Sequence, residues 1–522
     1  MIEDTTHRRL IDYFRTAAQK YPKRIALEIG EQQYSYDRLA GLSEKIADCI
    51  LKIHDHEPFA GVLAYRSLPA YAGILGVLNA SKGYVPLNPR FPAERNRKMI
   101  ERSGIRTIVV GEECFDYLDE LIPYLSGSYN FIFLQKIDLP DDLKNDNHQF
   151  YFIDEEKEER EAAIESSPDD HAYLLFTSGS TGEPKAVAIS NSNVCNYLDN
   201  ITSLYQFSSA DRFSQTFDLT FDLSVHDLFV CWSQGACLCV PPADTGFAWP
   251  KYIREKNLSV WFSVPSLVDM LGKLRLLKAA SLPSLRYSFF CGEALYERSA
   301  ESWQKAAPAS DIINLYGPTE ATIAISHYQW DKSDSESALK GVVGMGRIFA
   351  GNNYHLMPTG ENPVDDEGEL LLSGNQVINE YYQDQLNTQK QFVRLNHANY
   401  YKTGDLVKKV ASGKLFYLGR LDQEVKVSGY RVNLLEIDHL IREKTGLGQI
   451  VSVFHKKDER SAGKIITFIL DPEKQVKTKE ISELCNQHLP WYMIPEVILP
   501  VEKFYYNVNG KTDRQAMIEH YL

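Results

Sequence analysis

The sequence has no excess of basic residues: 56 Lys and Arg stand against 70 Asp and Glu, a formal net charge of −14 over 522 residues. Such a chain is not built to neutralise a nucleic-acid backbone, so no nucleic acid is expected as a partner. It also lacks any apolar run near the roughly 18 residues that span a bilayer. The longest candidate, AYAGILGVLNA at 70–80, reads as a buried helix, and no membrane is expected as a partner. The opening residues, MIEDTTHRRL, carry acids where a signal peptide has a basic and then an apolar stretch. None of the 8 cysteines forms a CxxC pair, and Cys237 and Cys239 merely alternate along a strand-like run. That usage fits a reducing cytoplasm and not a disulfide or zinc framework. Internal repeats and low-complexity tracts are missing as well. The absences leave an enzyme-sized cytoplasmic protein as the expectation.

What is present is ample core material, 44% apolar and 11% aromatic residues, in a chain long enough for two to four domains at roughly 100–200 residues each. Short apolar runs such as FAGVLAY at 59–65, TIVVG at 107–111, NFIFL at 130–134 and SVWFSV at 259–264 alternate with longer helical patterns. Strands separated by helices predict an α/β fold whose sheets are covered by helices on both faces. The acidic stretch 154–170 reads as a solvated connection. A second texture starts near 413, with EVKVSGYRV alternating as a strand pair and Asn433 and Glu436 placed as a helix cap and its partner. GRLDQ at 419–423 reads as a linker. The expected division is a large domain over 1–419, a hinge at 420–423, and a small α+β domain over 424–522.

TSGSTGEPK at 177–185 is shaped to hold something. Gly179 and Gly182 let backbone N–H groups turn inward. Thr177, Ser178, Ser180 and Thr181 supply hydroxyl donors, and Lys185 a point charge, which together suit a phosphate. A Walker loop would place Lys and then Ser or Thr at the start of a helix. Here Lys185 is followed by AVAIS, another strand-like run, so the loop is of a different kind.

NLYGPTEAT at 314–322, YKTGDLV at 401–407, GRLDQEVKVSGYR at 419–431 and NGKTDR at 509–514 follow in order. With TSGSTGEPK they resemble the core motifs of the adenylate-forming superfamily, over nearly the whole chain from YSYDRL at 34 to Lys511. The resemblance implies MgATP as cofactor and a two-step reaction. A carboxylate attacks the α-phosphate to give an acyl adenylate and pyrophosphate, and a thiol then takes the acyl group. It implies Lys511 as the lysine bridging carboxylate and phosphate, with Thr319 beside the catalytic Glu320 and Glu320 as the magnesium carboxylate. Asp405 would hold the ribose hydroxyls, with Arg420 near the ribose and phosphate. Tyr316 would stack on adenine beside Gly317, Asn314 would bond its amino group, and Gly292, Glu293 and Ala294 would lie along its edge. Asp422 would be the hinge about which the small domain swings Lys511 out between the steps. The chain departs from the common pattern at Ala186, Asn191, Ser428 and Asn433, none of which removes a group the chemistry needs.

QTFDLTFDLSVHDLF at 215–229 bears on the carboxylate. Its FDLS matches the motif whose aspartate pairs with an α-ammonium in amino-acid adenylation domains, which implies Asp222 in that role, with Asp218 as the rival. The remaining pocket positions implied are Leu223, His226, Phe262, Phe289, Cys291, Leu315, Ile323 and Ala324. They form an apolar, aromatic lining suited to a small neutral side chain. FCGEAL at 290–295 resembles D-alanine–carrier protein ligases, whereas the aromatic at 262 and leucine at 315 resemble discrete proline-activating enzymes. Proline is put first and alanine next, with chirality open, because one methylene is worth only ~1–3 kcal/mol in such a pocket. An acyl-CoA synthetase would share every ATP motif. The chain ends at Leu522, eleven residues past Lys511, so a separate phosphopantetheinylated carrier protein is the expected thiol partner.

Overall fold

A computed structural model of the chain describes residues 8–136, 147–153, 170–178, 184–242, 245–359, 364, 366–422, 424–456, 463–506 and 512–522. The acidic stretch 154–169, the loop residues Gly179, Ser180, Thr181, Gly182 and Glu183, and Lys511 lie outside them.

The short apolar runs become strands covered on both faces: Phe59–Leu63, Thr107–Val110 and Val260–Ser263 are buried at every position. AYAGILGVLNA falls in the helix Leu68–Asn79, buried from Pro69 through Leu78, as an all-round apolar helix must be. Among the described residues the strands assemble into two large sheets. One of seven strands is parallel from Gln149–Phe152 to His171–Thr177 and is closed by the antiparallel Lys185–Ser190. The other, of nine, is parallel from Asp311–Tyr316 through Tyr287–Phe290, Val260–Ser263, Arg212–Ser214 and Cys237–Val240 to Ile25–Ile29. An apolar cluster that includes Tyr84, Tyr173, Phe262 and Phe289 joins the two sheets. A mostly antiparallel sheet follows, in which Ala398–Lys409 pairs with Glu367–Gly374 and Leu415–Arg420.

Past Arg420 the second texture forms the hairpin Glu424–Val427/Tyr430–Asn433. Behind it, Ile450–His455, Lys464–Leu470 and Val497–Val501 make a small sheet with the helices Leu434–Thr445, Thr478–His488 and Arg514–Tyr521. The fold is thus a large N-terminal α/β domain with a smaller α+β domain at the C-terminal end. Asn433 caps its helix, accepting from Leu435 N–H at 3.0 Å. Glu436, the expected partner in that cap, pairs instead with Arg95 of the large domain at 3.0 Å. No helix among the described residues is long and apolar enough to cross a membrane.

Candidate active site

Val260–Ser263, Tyr287–Phe290 and Asp311–Tyr316 are adjacent parallel strands, and ligands bind beyond the carboxyl ends of such strands. The residues just past those ends are Gly292, Glu293, Ala294 and Gly317. With Asn314, Leu315, Tyr316, Asp405 and Arg420 they line a cavity of about 720 Å³. At Gly317 a Cβ would lie 2.6 Å from the Ala324 Cα, so this turn admits no side chain. The Tyr316 hydroxyl donates to Asp405, and Arg420 Nη1 donates to the other carboxylate oxygen at 2.8 Å. Burial pushes the Asp405 carboxyl up, while Arg420 and Tyr316 pull it down. Asn314 Nδ2 donates to the Gly344 carbonyl at 2.9 Å, which fixes the amide's orientation and leaves its Oδ1 buried without a partner. A buried acceptor of that kind is costly until a ligand donor meets it. A nucleobase amino group is such a donor, and a carboxylate with two oxygens suits a ribose diol, so the cavity fits a nucleotide.

Thr319 and Glu320 lie in the turn Thr319–Ala321. Glu320 is fully buried; its oxygens accept from the Tyr381 hydroxyl at 2.7 Å and from Arg431 Nη1 at 2.9 Å. Burial works against the charge, but Arg431 and Lys185 hold this carboxyl down at about 2. Lys185 opens the strand that pairs with His171–Thr177 and sets its Nζ 5.2 Å from the Tyr381 ring centre. Of the loop it closes, Thr177 and Ser178 are described, and the Thr177 hydroxyl is buried without a partner.

Asp222 sits with Leu223, Cys291, Thr319 and Lys426 around a second cavity of about 60 Å³. Its Oδ2 accepts from Ile323 N–H at 3.2 Å. That donor is presented by left-handed backbone at Thr322 (φ +57°) and Ile323 (φ +69°), conformations that cost about 1–3 kcal/mol each and cluster at functional sites. Burial raises the Asp222 carboxyl to about 6, opposed by the Ile323 N–H and the Lys426 charge. Asp218 is already engaged, accepting from Asn88 Nδ2 at 2.6 Å and from the Thr220 N–H and hydroxyl at 3.0 and 2.6 Å.

The other pocket positions pack on one another. His226 lies 4.5 Å from Phe262 and 5.3 Å from Phe289 between ring centres, and the two phenylalanines are 6.2 Å apart. His226 Nδ1 is 2.6 Å from the Tyr197 hydroxyl, and burial pushes the imidazole down to about 3, so it stays neutral. Ile323 and Ala324 are fully buried. Of the expected lining, Leu223 and Cys291 border the small cavity and Leu315 borders the large one, whereas Phe262, Phe289, His226 and Ile323 are buried and border neither. Burial pushes the Cys291 thiol up to about 12, which removes it as a nucleophile.

The small domain reaches into this site. Gly429 N–H donates to Glu293 Oε1 at 2.7 Å, Ser178 Oγ bridges the Arg431 carbonyl and Asn433 N–H, and Phe221 meets Tyr430 at 4.3 Å. Lys426 borders both cavities, and burial lowers its ammonium. Asp422 binds Arg420 and accepts from Glu424 N–H at 3.0 Å. Reading the sequence missed Lys426 and Arg431. The period-2 pattern that gave the hairpin also aligns Glu424 and Lys426 on one strand face, a signal that could have flagged a charged face turned inward.

The model of the AMP-binding enzyme family matches residues 14–382. The chain belongs to that family, whose members are adenylate-forming ligases using ATP and Mg²⁺. Among its relatives, a D-alanine–D-alanyl carrier protein ligase of Staphylococcus haemolyticus (strain JCSC1435) is 28% identical over 522 residues, covering 98% of this chain and 99% of that protein. Tyrocidine synthase 3 of Brevibacillus parabrevis is 29% identical over 519 residues, covering 97% of this chain. The chain spans only 7% of that synthase and 8% of bacitracin synthase 3 of Bacillus licheniformis. Among solved structures, the Vibrio cholerae adenylation domain AlmE in complex with glycyl-adenosine-5′-phosphate superposes with a TM-score of 0.88 at 30% identity, covering 98% of this chain and 97% of that one.

Proposed function

We propose that the protein adenylates a very small neutral amino acid, glycine ahead of alanine, and passes the aminoacyl group to the phosphopantetheine thiol of a separate carrier protein. The observation that carries this reading is Asp222. It is a buried carboxylate with one backbone donor, facing about 60 Å³ of space, where a substrate ammonium would complete its pairing. Phe262, Phe289 and His226 pack on one another and border neither cavity, so the space beside Asp222 is the small cavity alone, which supports a substrate smaller than the proline ring put first from sequence. The neighbour bound to a glycyl adenylate supports the same choice.

In this reading Asn314 takes the adenine amino group on its free Oδ1, Asp405 the ribose hydroxyls, and Thr177, Ser178 and Lys185 the phosphate side. Lys511 bridges carboxylate and α-phosphate, and the chain swivels at Asp422, between a large domain ending near 419 and a small one starting at 424. Glu320 would hold Mg²⁺, which would supply charge neutralisation of the phosphates. Arg431 contacts Glu320 in the orientation described, so that job requires the small domain to have moved. The orientation with Lys426 and Gly429 at the site serves the thiol step. The large cavity extends past the nucleotide positions to Phe247, Met270, Lys273, Phe454 and Lys456 at the seam of the two domains, a path for a thiol arm.

The test is amino-acid-dependent ATP–pyrophosphate exchange over a full panel, with glycine and both enantiomers of alanine and proline, alongside Asp222→Ala. Exchange highest with glycine and lost in Asp222→Ala is expected. Highest exchange with proline would overturn the size argument, and turnover only with acids lacking an α-amino group would make the protein a general acyl-activating enzyme.

A further inference from the structure

Among the described residues, the small domain meets the large one at the site itself and at the start of the helix Ala93–Ser103, where the neighbours Glu94 and Arg95 reach different helices of the small domain. Arg95 Nη1 donates to Glu436 Oε1 at 3.0 Å, with the two side chains 8% and 5% exposed. Glu94 Oε2 lies 2.7 Å from His488 Nδ1, at side chains 30% and 21% exposed. The Arg95–Glu436 contact connects to the hairpin. Glu436 is on the helix capped by Asn433, the residue whose N–H bonds Ser178. Tyr492, beside Arg95 and Glu436, stacks on the hairpin's Tyr430 at 3.8 Å between ring centres. None of the side chains of Glu94, Arg95, Glu436 and His488 lines either cavity.

We propose that Glu94 and Arg95 are positioning residues, a latch that holds the C-terminal domain with Lys426 and Gly429 at the site and so serves thiol transfer and not adenylation. The inference rests on the reading above, in which the two steps use different domain orientations. A buried ion pair tolerates little displacement: once its partners part, each is a charge with its hydration only partly restored. Arg95–Glu436 therefore favours one discrete orientation. Because the pair contributes free energy only there, removing it shifts the population away from that orientation and slows only the step that needs it.

The experiment uses the full chain as Arg95→Met, Glu436→Gln, their double variant, and Glu94→Gln. Two rates are read: amino-acid-dependent pyrophosphate exchange, and single-turnover transfer from preformed aminoacyl adenylate to synthetic phosphopantetheine. Each variant of the buried pair is expected to lose at least tenfold in transfer while exchange stays within twofold. The double variant should be no worse than either single, because the two residues act as one unit. Glu94→Gln should lose about threefold in transfer alone. Unchanged transfer, or equal loss in both steps at an unchanged melting temperature, overturns the latch. If the buried-pair variants do not fold, Glu94→Gln and His488→Gln, at partly exposed positions, decide it. If the wild-type protein supports neither rate, the functional reading fails separately. The latch is then read from the inter-domain distance between dyes at Leu386→Cys and Lys479→Cys, which must change in Glu94→Gln for the proposal to stand.

Discussion

Asp222 carries a burden that folding alone does not repay. A carboxylate raised to about 6 by burial sits above its ordinary value near 3.8, so the folded state binds a proton that the unfolded state releases. Stability is therefore lost as pH rises through that window, and above it the ionised group remains desolvated. Asp222→Asn is expected to abolish amino-acid-dependent exchange by at least a hundredfold while leaving the melting temperature at pH 8 unchanged or higher. That combination separates a substrate anchor from a structural acid. The same shift sets a pH profile. With wild-type protein, kcat/KM for the amino acid should rise with pH through about 6 to a plateau near 7. Glu320, held at about 2, and His226, held at about 3, keep one charge state across the whole range. The wall behind Asp222 gives a third expectation. Phe289→Ala should admit a larger side chain, lowering kcat/KM for glycine and raising that for a branched or ring substrate by roughly tenfold, within the ~1–3 kcal/mol such pockets command. No gain with any larger amino acid would mean that Phe289 is core and not wall.

At the scale of the element, the hairpin Glu424–Val427/Tyr430–Asn433 decides how the two domains meet. Gly429 turns it with φ +84°, and a Cβ there would lie 2.3 Å from Val264 Cγ1. Gly429→Val should therefore block docking, slowing aminoacyl transfer to phosphopantetheine by more than tenfold while pyrophosphate exchange stays within about twofold; equal loss in both would locate the damage in folding. This hairpin also marks how far the sequence could be read. Its strands were legible because alternation at 424–432 has the period of a strand, and the apolar runs at 59–65, 107–111 and 259–264 were legible because parallel strands are covered on both sides. The strand-end residues that line the large cavity were reachable through ordered motifs. Arg431's pairing with Glu320, 111 positions away, was not, because a charged residue in an alternating strand reads as solvated until the face it docks on is known. The same holds for Glu436, whose local pattern spells a helix cap and whose carboxylate instead crosses the domain boundary. Phe262, Phe289 and His226 were legible as an apolar group, but not as side chains that pack on one another and border neither cavity, since packing depends on backbone positions that no residue list contains.

Across the whole molecule, the proposed role of Glu320 would couple the nucleotide site to domain orientation. Its two oxygens are taken by Tyr381 and by Arg431, which is carried on the small domain. If Glu320 holds Mg²⁺ as proposed, Arg431 and the cation would compete for one carboxylate that both need ionised. Leaving Arg431 without an acidic partner in so buried a place is unfavourable by several kcal/mol, but Glu424 also accepts from its Nε at 2.6 Å, so the guanidinium keeps one partner as it leaves. Binding of MgATP should then shift the population away from the docked hairpin by the difference in its affinity for the two orientations. This can be measured by resonance energy transfer between dyes at Leu386→Cys, 72% exposed on the large domain, and Lys479→Cys, at a side chain 90% exposed on the small one. Seven of the eight native cysteines are buried and Cys49 is half-buried, so Cys49→Ser clears the background. Adding MgATP is expected to change the transfer efficiency of this protein. Arg431→Leu should show the changed value before any nucleotide is added, because its competitor for Glu320 is gone. A distance that ignores MgATP, or an Arg431→Leu protein whose distance matches the wild type without nucleotide, would mean that Glu320 and Arg431 form a static pair and that orientation is set elsewhere.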